Sequence, residues 1–369
     1  MFYKSFFVFL GWISLFLSTF GQDLDLVWSN PLDSGAVRGR VGTYQDADYH
    51  RLPASMEKEV RAAVWRLGKQ SAGMYIDFET DADTLVVRYE VSGRFGMHHM
   101  PATGVSGVDL YAFDAENQKW SWAPGQYDFA DTVSYTFREF STPHNSSYRL
   151  YLPLYNEVKW LQIGTPSGQG IKYKTATKQK PIIVYGTSIA QGACATRPGM
   201  AWTNILHREL NYPLVNLGFS GNGKLEQPIL DFINRQNPAM VVLDCLPNLH
   251  LGEERTEEEL KDLIDNAIKT IRSVHPEIPI LLAEHSTGFN PQFLYHTFQH
   301  NAEQRILITR ERIKTLREQG DQNLYLLPNA DFKMEEDVTV DYVHPNDVGM
   351  KNIAEAYKDM ILKIQGHEK

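Results

Sequence analysis

The feature that most constrains this 369-residue chain is a change in hydrophobic periodicity near residues 171–180. Before that segment, short alternating runs such as GMYIDFET, TLVVRYEVS and VKWLQIG are separated by Gly, Asp, Asn and Pro. Runs of this kind predict an antiparallel β-sandwich. After it, continuous apolar runs such as PIIVYG and AMVVLDCLP alternate with amphipathic stretches. That second pattern predicts a parallel sheet covered by helices on both faces.

The two patterns predict two domains, as the chain length also favours. We expect an antiparallel, jelly-roll-like β-sandwich over residues 23–170 and a three-layer α/β domain over residues 180–366. Apart from a possible turn at 55–62, helical periodicity is nearly absent from the first domain. Helices are expected in the second at about 201–211, 224–236, 256–274, 291–318 and 346–364.

The first residues, MFYKSFFVFLGWISLFLSTFGQ, place Lys4 ahead of an apolar run that small residues close near Gly21. This arrangement predicts a signal peptide over residues 1–21 and export to the periplasm or the cell exterior. The alternative is an N-terminal anchor that is not cleaved. No later stretch is apolar for the ~18 residues that a spanning helix needs, so we expect no membrane span in the mature chain.

The net charge bears on the classes of binding partner, and the cysteine content bears on disulfide formation. The net charge is −9 and no basic stripe is present, which makes nucleic acid a poor partner. The oligomeric state is not predicted. The two cysteines, Cys194 and Cys245, are too few for a disulfide framework, although export would allow this one pair to oxidise. A disulfide and two buried thiols are both compatible with the sequence.

Chemically useful residues follow separate predicted strands of the second domain. Ser188 follows the first strand, Gly221 lies in a glycine-rich turn after the second, and Asn248 follows the third. Asp341 and His344 precede the last helix. Each has an ordinary alternative: a helix cap, a flexible turn, a loop asparagine and a chance Asp-x-x-His. Ligands in such sheets bind beyond the carboxyl ends of the strands, so the set as a whole favours an active site there.

In this order the blocks resemble the SGNH (GDSL-like) hydrolases over about residues 180–365, which implies a flavodoxin-like catalytic domain. In addition, GVDLY at 107–111 resembles the Gly-x-Asp-Leu-Tyr signature of an N-terminal β-domain found in one branch of that family. Two of these segments depart from the family pattern. Gly-Thr-Ser replaces Gly-Asp-Ser at 186–188, and Leu-Pro-Asn-Leu stands at 246–249 where the family usually has Gly-x-Asn-Asp. Neither departure removes a hydroxyl, an amide donor or an imidazole, so the expected chemistry is unaffected. Residues next to the site help to shape its pocket, so the departures bear on the substrate class.

The resemblance implies that Ser188 is a nucleophile, that His344 is its general base and that Asp341 orients the imidazole. The main-chain N–H groups of Ser188 and Gly221 and the side chain of Asn248 are then expected to form an oxyanion hole. A cysteine nucleophile is disfavoured because Ser188 better fits the end of the strand. The reaction calls for no metal or organic cofactor.

His98 and His99 lie in the loop FGMHHMPATG at 95–104. They are candidates for substrate contacts over the catalytic crevice, or for a packed contact between the domains. Metal binding by these two histidines is unsupported, because no carboxylate or cysteine lies at ligand spacing from them in the sequence.

An exported esterase with a sandwich module resembles the carbohydrate acetylesterases, which implies an acyl, and specifically an acetyl, ester on a polysaccharide or oligosaccharide. The alternatives are a lipid or aryl esterase of the same fold, and a catalytically inactive carbohydrate-binding protein.

Overall fold

The structure, a computed structural model, describes residues 25–42, 48–138, 140, 146–174, 178–284, 286, 296–335 and 337–366. The predicted signal peptide lies outside the described residues, as does the start of the helix expected at 291–318. Among the residues described, no helix is both long enough and apolar enough to cross a bilayer.

Two antiparallel sheets form the first half of the chain. One has the strand order β1-β10-β4-β8-β7 and the other β11-β3-β9-β5-β6, with β2 beside β3. Alternate residues of β4 are buried, so one face of its sheet packs against the interior. The predicted sandwich is confirmed. Its elements are β1 (Leu26–Ser29), β2 (Val37–Arg38), α1 (Ala62–Gly68), β3 (Tyr75–Thr80), β4 (Thr84–Val91), α2 (Ala102–Val105), β5 (Asp109–Asp114), β6 (Lys119–Ala123), β7 (Gln126–Asp128), β8 (Val133–Arg138), β9 (Ser146–Tyr151), β10 (Val158–Pro166) and β11 (Ile171–Tyr173).

A five-stranded parallel sheet forms the second half, with the order β13-β12-β14-β15-β16. This is the 2-1-3-4-5 order of flavodoxin-like folds. The predicted α/β architecture is therefore confirmed. Its elements are β12 (Ile182–Gly186), α3 (Ser188–Gln191), α4 (Trp202–Leu210), β13 (Leu214–Gly218), α5 (Gln227–Asn234), β14 (Met240–Asp244), α6 (Glu257–Val274), β15 (Ile280–Ala283), α7 (His296–Glu318), β16 (Leu324–Leu327) and α8 (Asp347–Ile364).

The parallel sheet is covered on both faces. Every residue of β12, β13 and β14 is buried, which explains why their sequences read as continuous apolar runs. Because successive side chains of a strand point to opposite faces, Ile183 and Tyr185 join one hydrophobic cluster while Ile182 and Val184 join the other. The first cluster includes residues of α5, α6 and α7, and the second includes residues of α4 and α8.

One helix of the first half packs into the core of the second. Val64 and Leu67 of α1, with Leu52 and Met56 just before it, belong to the cluster on one face of the parallel sheet. The sequence indicated only a turn in this region, since a seven-residue helix shows little periodicity and is stabilised by its packing. Side chains from within residues 23–170 therefore complete the interior of the α/β half.

The GVDLY segment joins the two halves directly. Asp109 Oδ2 accepts hydrogen bonds from the Arg197 guanidinium (2.5 Å) and from Gly199 N–H (2.8 Å), and the Arg197 guanidinium also donates to Tyr111 Oη (2.7 Å). Trp122 Nε1 donates to Asp109 Oδ1 at 2.6 Å. A Cβ at position 199 would lie 2.4 Å from the Tyr111 ring, so glycine is required there. The motif thus fixes the sandwich against the loop that follows α3.

Candidate active site

Three side chains predicted from sequence form a continuous hydrogen-bonded chain. Ser188 Oγ lies 2.9 Å from His344 Nε2, and His344 Nδ1 lies 2.8 Å from Asp341 Oδ2. Because the carboxylate can only accept, Nδ1 carries the proton and Nε2 is the acceptor for the serine hydroxyl. The geometry can therefore move a proton from Ser188 to His344.

Asp341 is held by its own loop. Its Oδ1 accepts hydrogen bonds from the main-chain N–H of His344 (2.7 Å) and of Val343 (3.2 Å). Partial burial raises the pKa of the Asp341 carboxyl, but the hydrogen bonds from His344 and Val343 outweigh burial and lower the pKa below its usual value. Asp341 is therefore an anion across the neutral range and can stabilise an imidazolium.

Ser188 begins α3, directly after β12. The first N–H groups of a helix have no partner within the helix, so the Ser188 N–H is available to an anion. Thr187 is the N-cap, and its hydroxyl accepts from Ile189 N–H at 3.3 Å. The threonine that stands where the family pattern has aspartate is thus a suitable N-cap residue.

The second and third loops meet beside this turn, because Gly186 pairs with Gly218 on one side and with Asp244 on the other. Gly221 has a φ of +68°, a left-handed backbone conformation that glycine adopts more readily than residues with a Cβ atom. Asn248 Oδ1 accepts from Gly223 N–H at 3.1 Å, so the Asn248 amide nitrogen is the end left to donate. The structure therefore gathers all five predicted positions at one edge of the sheet. Leu249, the other departure from the family pattern, is buried in the core.

Gln191 is a residue that the sequence did not single out. It is fully buried, and its Oε1 accepts from Ser220 N–H at 3.0 Å. Its Nε2 donates to Gln70 Oε1 (2.6 Å) and to the Leu154 carbonyl (3.1 Å). Gln191 thus connects the Gly221 loop to two segments of the first half. Nothing local in the sequence marks it, since its partners are 29 to 121 residues away.

Two buried arginines position the loops. Arg51 donates from Nη1 to the carbonyls of Asn216 (3.2 Å) and Gly218 (2.6 Å) at the end of β13. Arg305 donates from Nη1 to the Leu246 carbonyl (2.6 Å) in the turn that carries Asn248. Each satisfies carbonyl groups that the ends of strands and turns leave unpaired.

His99 and His98 line a cavity of about 680 Å³ beside this site. The ring centroid of His99 lies 5.9 Å from that of His344. Gln70 and Tyr155 also line the cavity, and Tyr155 Oη donates to the Ser188 carbonyl at 3.2 Å. His99 therefore lies next to the catalytic candidates, and both histidines face space that a substrate can occupy.

Cys194 and Cys245 are both free and buried. The structure thus favours the two-thiol alternative over a disulfide. Burial and the nearby Asp341 charge raise the pKa of the Cys194 thiol to about 12. Atoms of Cys194, His99, Asp341 and His344 lie within 4.8 Å of one another and could surround a metal ion. The thiol is a poor ligand there because metal binding requires the thiolate, and a metal would compete with Ser188 for His344.

Comparison with known proteins agrees with this geometry. Residues 179–362 match the GDSL-like lipase/acylhydrolase family. The chain belongs to that family of carboxylic ester hydrolases. Residues 26–171 match the GxDLY family, described as the N-terminus of SGNH-hydrolase-type esterases. Together the two matches include most of the chain. No curated protein matches the sequence.

Solved structures share both halves of this GDSL-like hydrolase. A structure from Bacteroides ovatus ATCC 8483, described as a GDSL-like lipase, has a TM-score of 0.83 at 28% identity, covering 93% of this chain and 98% of that one. The salicylyl-acyltransferase SsfX3 from a tetracycline biosynthetic pathway has a TM-score of 0.73 at 19% identity, with coverages of 92% and 98%. A family two carbohydrate esterase from Clostridium thermocellum, in complex with cellohexaose, has a TM-score of 0.54 at 14% identity, with coverages of 80% and 94%. The last two identities establish a shared fold alone.

Proposed function

We propose that this protein is a serine esterase that removes acyl groups, acetyl in particular, from a polysaccharide or oligosaccharide through an acyl-enzyme. The observation that carries the proposal is the hydrogen-bonded chain Ser188–His344–Asp341, with distances of 2.9 Å and 2.8 Å. A catalytically inactive carbohydrate-binding protein would have no need of this arrangement.

In the first step Ser188 Oγ attacks the ester carbonyl carbon while His344 Nε2 takes the hydroxyl proton. The tetrahedral intermediate then collapses, the ester C–O bond breaks, and the imidazolium gives its proton to the departing sugar oxygen, which leaves as a hydroxyl. Asp341 keeps Nδ1 protonated and stabilises the imidazolium charge. Water, activated by the same imidazole, then attacks the acyl carbon and releases acetate and free Ser188. Every step uses residues of this chain.

The oxyanion of each intermediate lies nearest the N–H of Ser188, the N–H of Gly221 and the amide nitrogen of Asn248 in this mechanism. Donors of this kind stabilise the transition state because they are already oriented when the charge develops. The hydrogen bond from Gly223 to Asn248 and the bond between Gln191 and Ser220 support that orientation. Gln191 is thus a positioning residue.

Exposed aromatic rings support a sugar substrate over a lipid. Trp122 and Tyr127 are 49% and 56% exposed and line one cavity of about 300 Å³. Arg197 lies over the Trp122 ring, 4.2 Å from the centroid. Trp122 Nε1 also donates to Asp109, so the indole is held in place. Rigid, half-exposed rings beside polar groups are suited to stacking on pyranose faces. An exported location, predicted from residues 1–21, fits such a substrate.

The test is release of acetate from acetylated xylan, pectin, xyloglucan and simple aryl acetates by the wild type and by Ser188→Ala. We expect Ser188→Ala to lower kcat by about 10⁴-fold or more while its thermal unfolding midpoint stays close to that of the wild type. Ser167→Ala, at an exposed serine of the first half, is the matched control. Wild-type turnover by Ser188→Ala would overturn the assignment of the nucleophile, and activity on aryl acetates without activity on any polysaccharide would overturn the sugar substrate.

A further inference from the structure

The cavity beside His344 has cationic walls. Arg66, Lys69 and Arg94 line it, and Glu157 is the one acidic residue among the described residues of the lining. The chain as a whole carries a net charge of −9. This cavity is therefore a local exception to the charge of the molecule.

The single carboxylate of the cavity is already paired. Glu157 Oε2 lies 3.3 Å from Lys69 Nζ, and Glu157 Oε1 lies 3.0 Å from His50 Nε2. Arg66 and Arg94 are exposed, and neither side chain has an ion pair or hydrogen bond with any part of the chain that the structure describes. Two guanidinium groups thus face the cavity without a counter-ion from the protein.

The cavity adjoins the catalytic residues at three points. His99 is next to His344, Tyr155 Oη donates to the Ser188 carbonyl, and Gln70 is bonded to Gln191 of α3. A sugar residue whose ester lies at Ser188 can therefore extend into the cavity.

We propose that this cavity binds a negatively charged substituent of the acylated sugar chain, namely the carboxylate of a uronic acid residue. The inference rests on the proposed function and names the substrate class for the same site. Guanidinium groups match carboxylates because paired N–H donors face the two oxygens. A sulfate ester offers similar oxygens, so the test includes a sulfated substrate. Excess positive charge in a cleft also attracts an anionic polymer from solution.

The experiment compares two substrates with the same polymer backbone: acetylated homogalacturonan, whose carboxyl groups are charged, and the same polymer with its carboxyl groups neutralised as methyl esters. Acetate release is measured for both. We expect kcat/KM to be higher on the charged form, by roughly fivefold, and the difference to shrink as NaCl rises because salt screens exposed charges. An acetylated galactan carrying sulfate is the third substrate, and a preference for it over the uronate polymer would contradict the carboxylate assignment.

The double variant Arg66→Gln/Arg94→Gln links the preference to these residues. We expect the double variant to lose the preference in kcat/KM for the charged polymer over the esterified polymer, through a rise in KM on the charged form. Arg138→Gln, at an exposed arginine outside this cavity, should keep the wild-type ratio. Binding of de-acetylated oligogalacturonate to Ser188→Ala, measured by calorimetry with and without the two arginine changes, tests the cavity independently of turnover.

The outcomes separate the two proposals. Equal kcat/KM on the charged and esterified polymers, or an unchanged ratio in the double variant, would overturn the anionic site while the esterase stands. Oligogalacturonate binding that is unchanged by the substitutions at Arg66 and Arg94 would also overturn the anionic site. Absence of acetate release from every substrate, aryl acetates included, would overturn the esterase and the inference with it.

Discussion

The edge of the parallel sheet and the wall of the neighbouring cavity are built in different ways. At the sheet edge, β12 and β14 end in register, and the loops that follow carry Ser188 and Asn248. The cavity wall comes instead from loops and a helix of the first half, including Arg66, Arg94 and His99. Under the two proposals made above, the second half carries out the reaction, whereas the choice of substrate depends on how the first half packs against it.

The sharpest way to test the catalytic region is Asn248→Ala. Loss of one oxyanion donor typically costs about 3 kcal/mol in the transition state, so we expect kcat on an aryl acetate to fall about a hundredfold with little change in KM. Asn266→Ala, at an exposed asparagine of α6 bonded to Gln227, is the control. A drop of less than about threefold would mean that Asn248 is a loop residue and not a donor.

The packing between the two halves of the chain is disrupted most directly by Asp109→Asn. The new amide cannot accept from Arg197, Gly199 and Trp122 together, and a mostly buried guanidinium loses its counter-charge. We expect the free energy of unfolding to fall by about 2–3 kcal/mol, measured by urea denaturation. Asp128→Asn, at an exposed carboxyl of β7, should change it little. Equal stability of the two variants would show that the GVDLY motif does not hold the halves together.

A pH experiment examines the sheet edge itself. Burial raises the pKa of Asp244, the last residue of β14, to about 8. The folded protein then holds a proton that the unfolded chain releases near its ordinary value, so this carboxyl destabilises the fold progressively as pH rises from about 4 to about 8. Asp244→Asn should therefore raise the unfolding midpoint relative to wild type by at least about 2 °C at pH 8.5, with a smaller gain at pH 5.

Asp262→Asn, at an exposed carboxyl of α6, is the control for that pH series. A gain from Asp244→Asn that is the same at every pH would contradict the account.

The smallest expected effect concerns the cavity that is lined by Trp122, Tyr127 and Arg197. Tyr127→Ala removes an exposed ring, and we expect KM on an acetylated polysaccharide to rise about threefold to fivefold relative to KM on an aryl acetate. Tyr127→Phe keeps the ring and should preserve most of the wild-type ratio. An unchanged ratio in Tyr127→Ala would remove this cavity from the substrate path.

The sequence was most informative about the second half, where regular alternation of strands and helices determines the geometry. The carboxyl ends of parallel strands share one edge, so Ser188, Asn248 and His344 could be placed together although 156 residues separate the serine from the histidine. The helices of the second half followed from its hydrophobic periodicity, whereas its flavodoxin-like character was implied by the family resemblance and its strand order was read from the structure. The predicted domain boundaries, the site roles and the exported location stay predictions.

What the sequence could not indicate depends on contacts between distant segments. Gln191, Arg51 and Arg305 act through buried hydrogen bonds to main-chain groups, and such partners leave no periodic pattern. The helix α1 is stabilised by packing on the parallel sheet, so its own residues gave little sign of it. The free state of Cys194 and Cys245 likewise required coordinates.

The most direct test of the central claim is labelling of the intact enzyme with a fluorophosphonate, followed by peptide mapping by mass spectrometry. Only a serine activated by a neighbouring base reacts quickly with such a reagent. We predict one label per chain on the peptide that contains Ser188, with loss of esterase activity in the same proportion, and no label on His344→Ala. A label on another residue, or full activity after Ser188 is modified, would contradict the account.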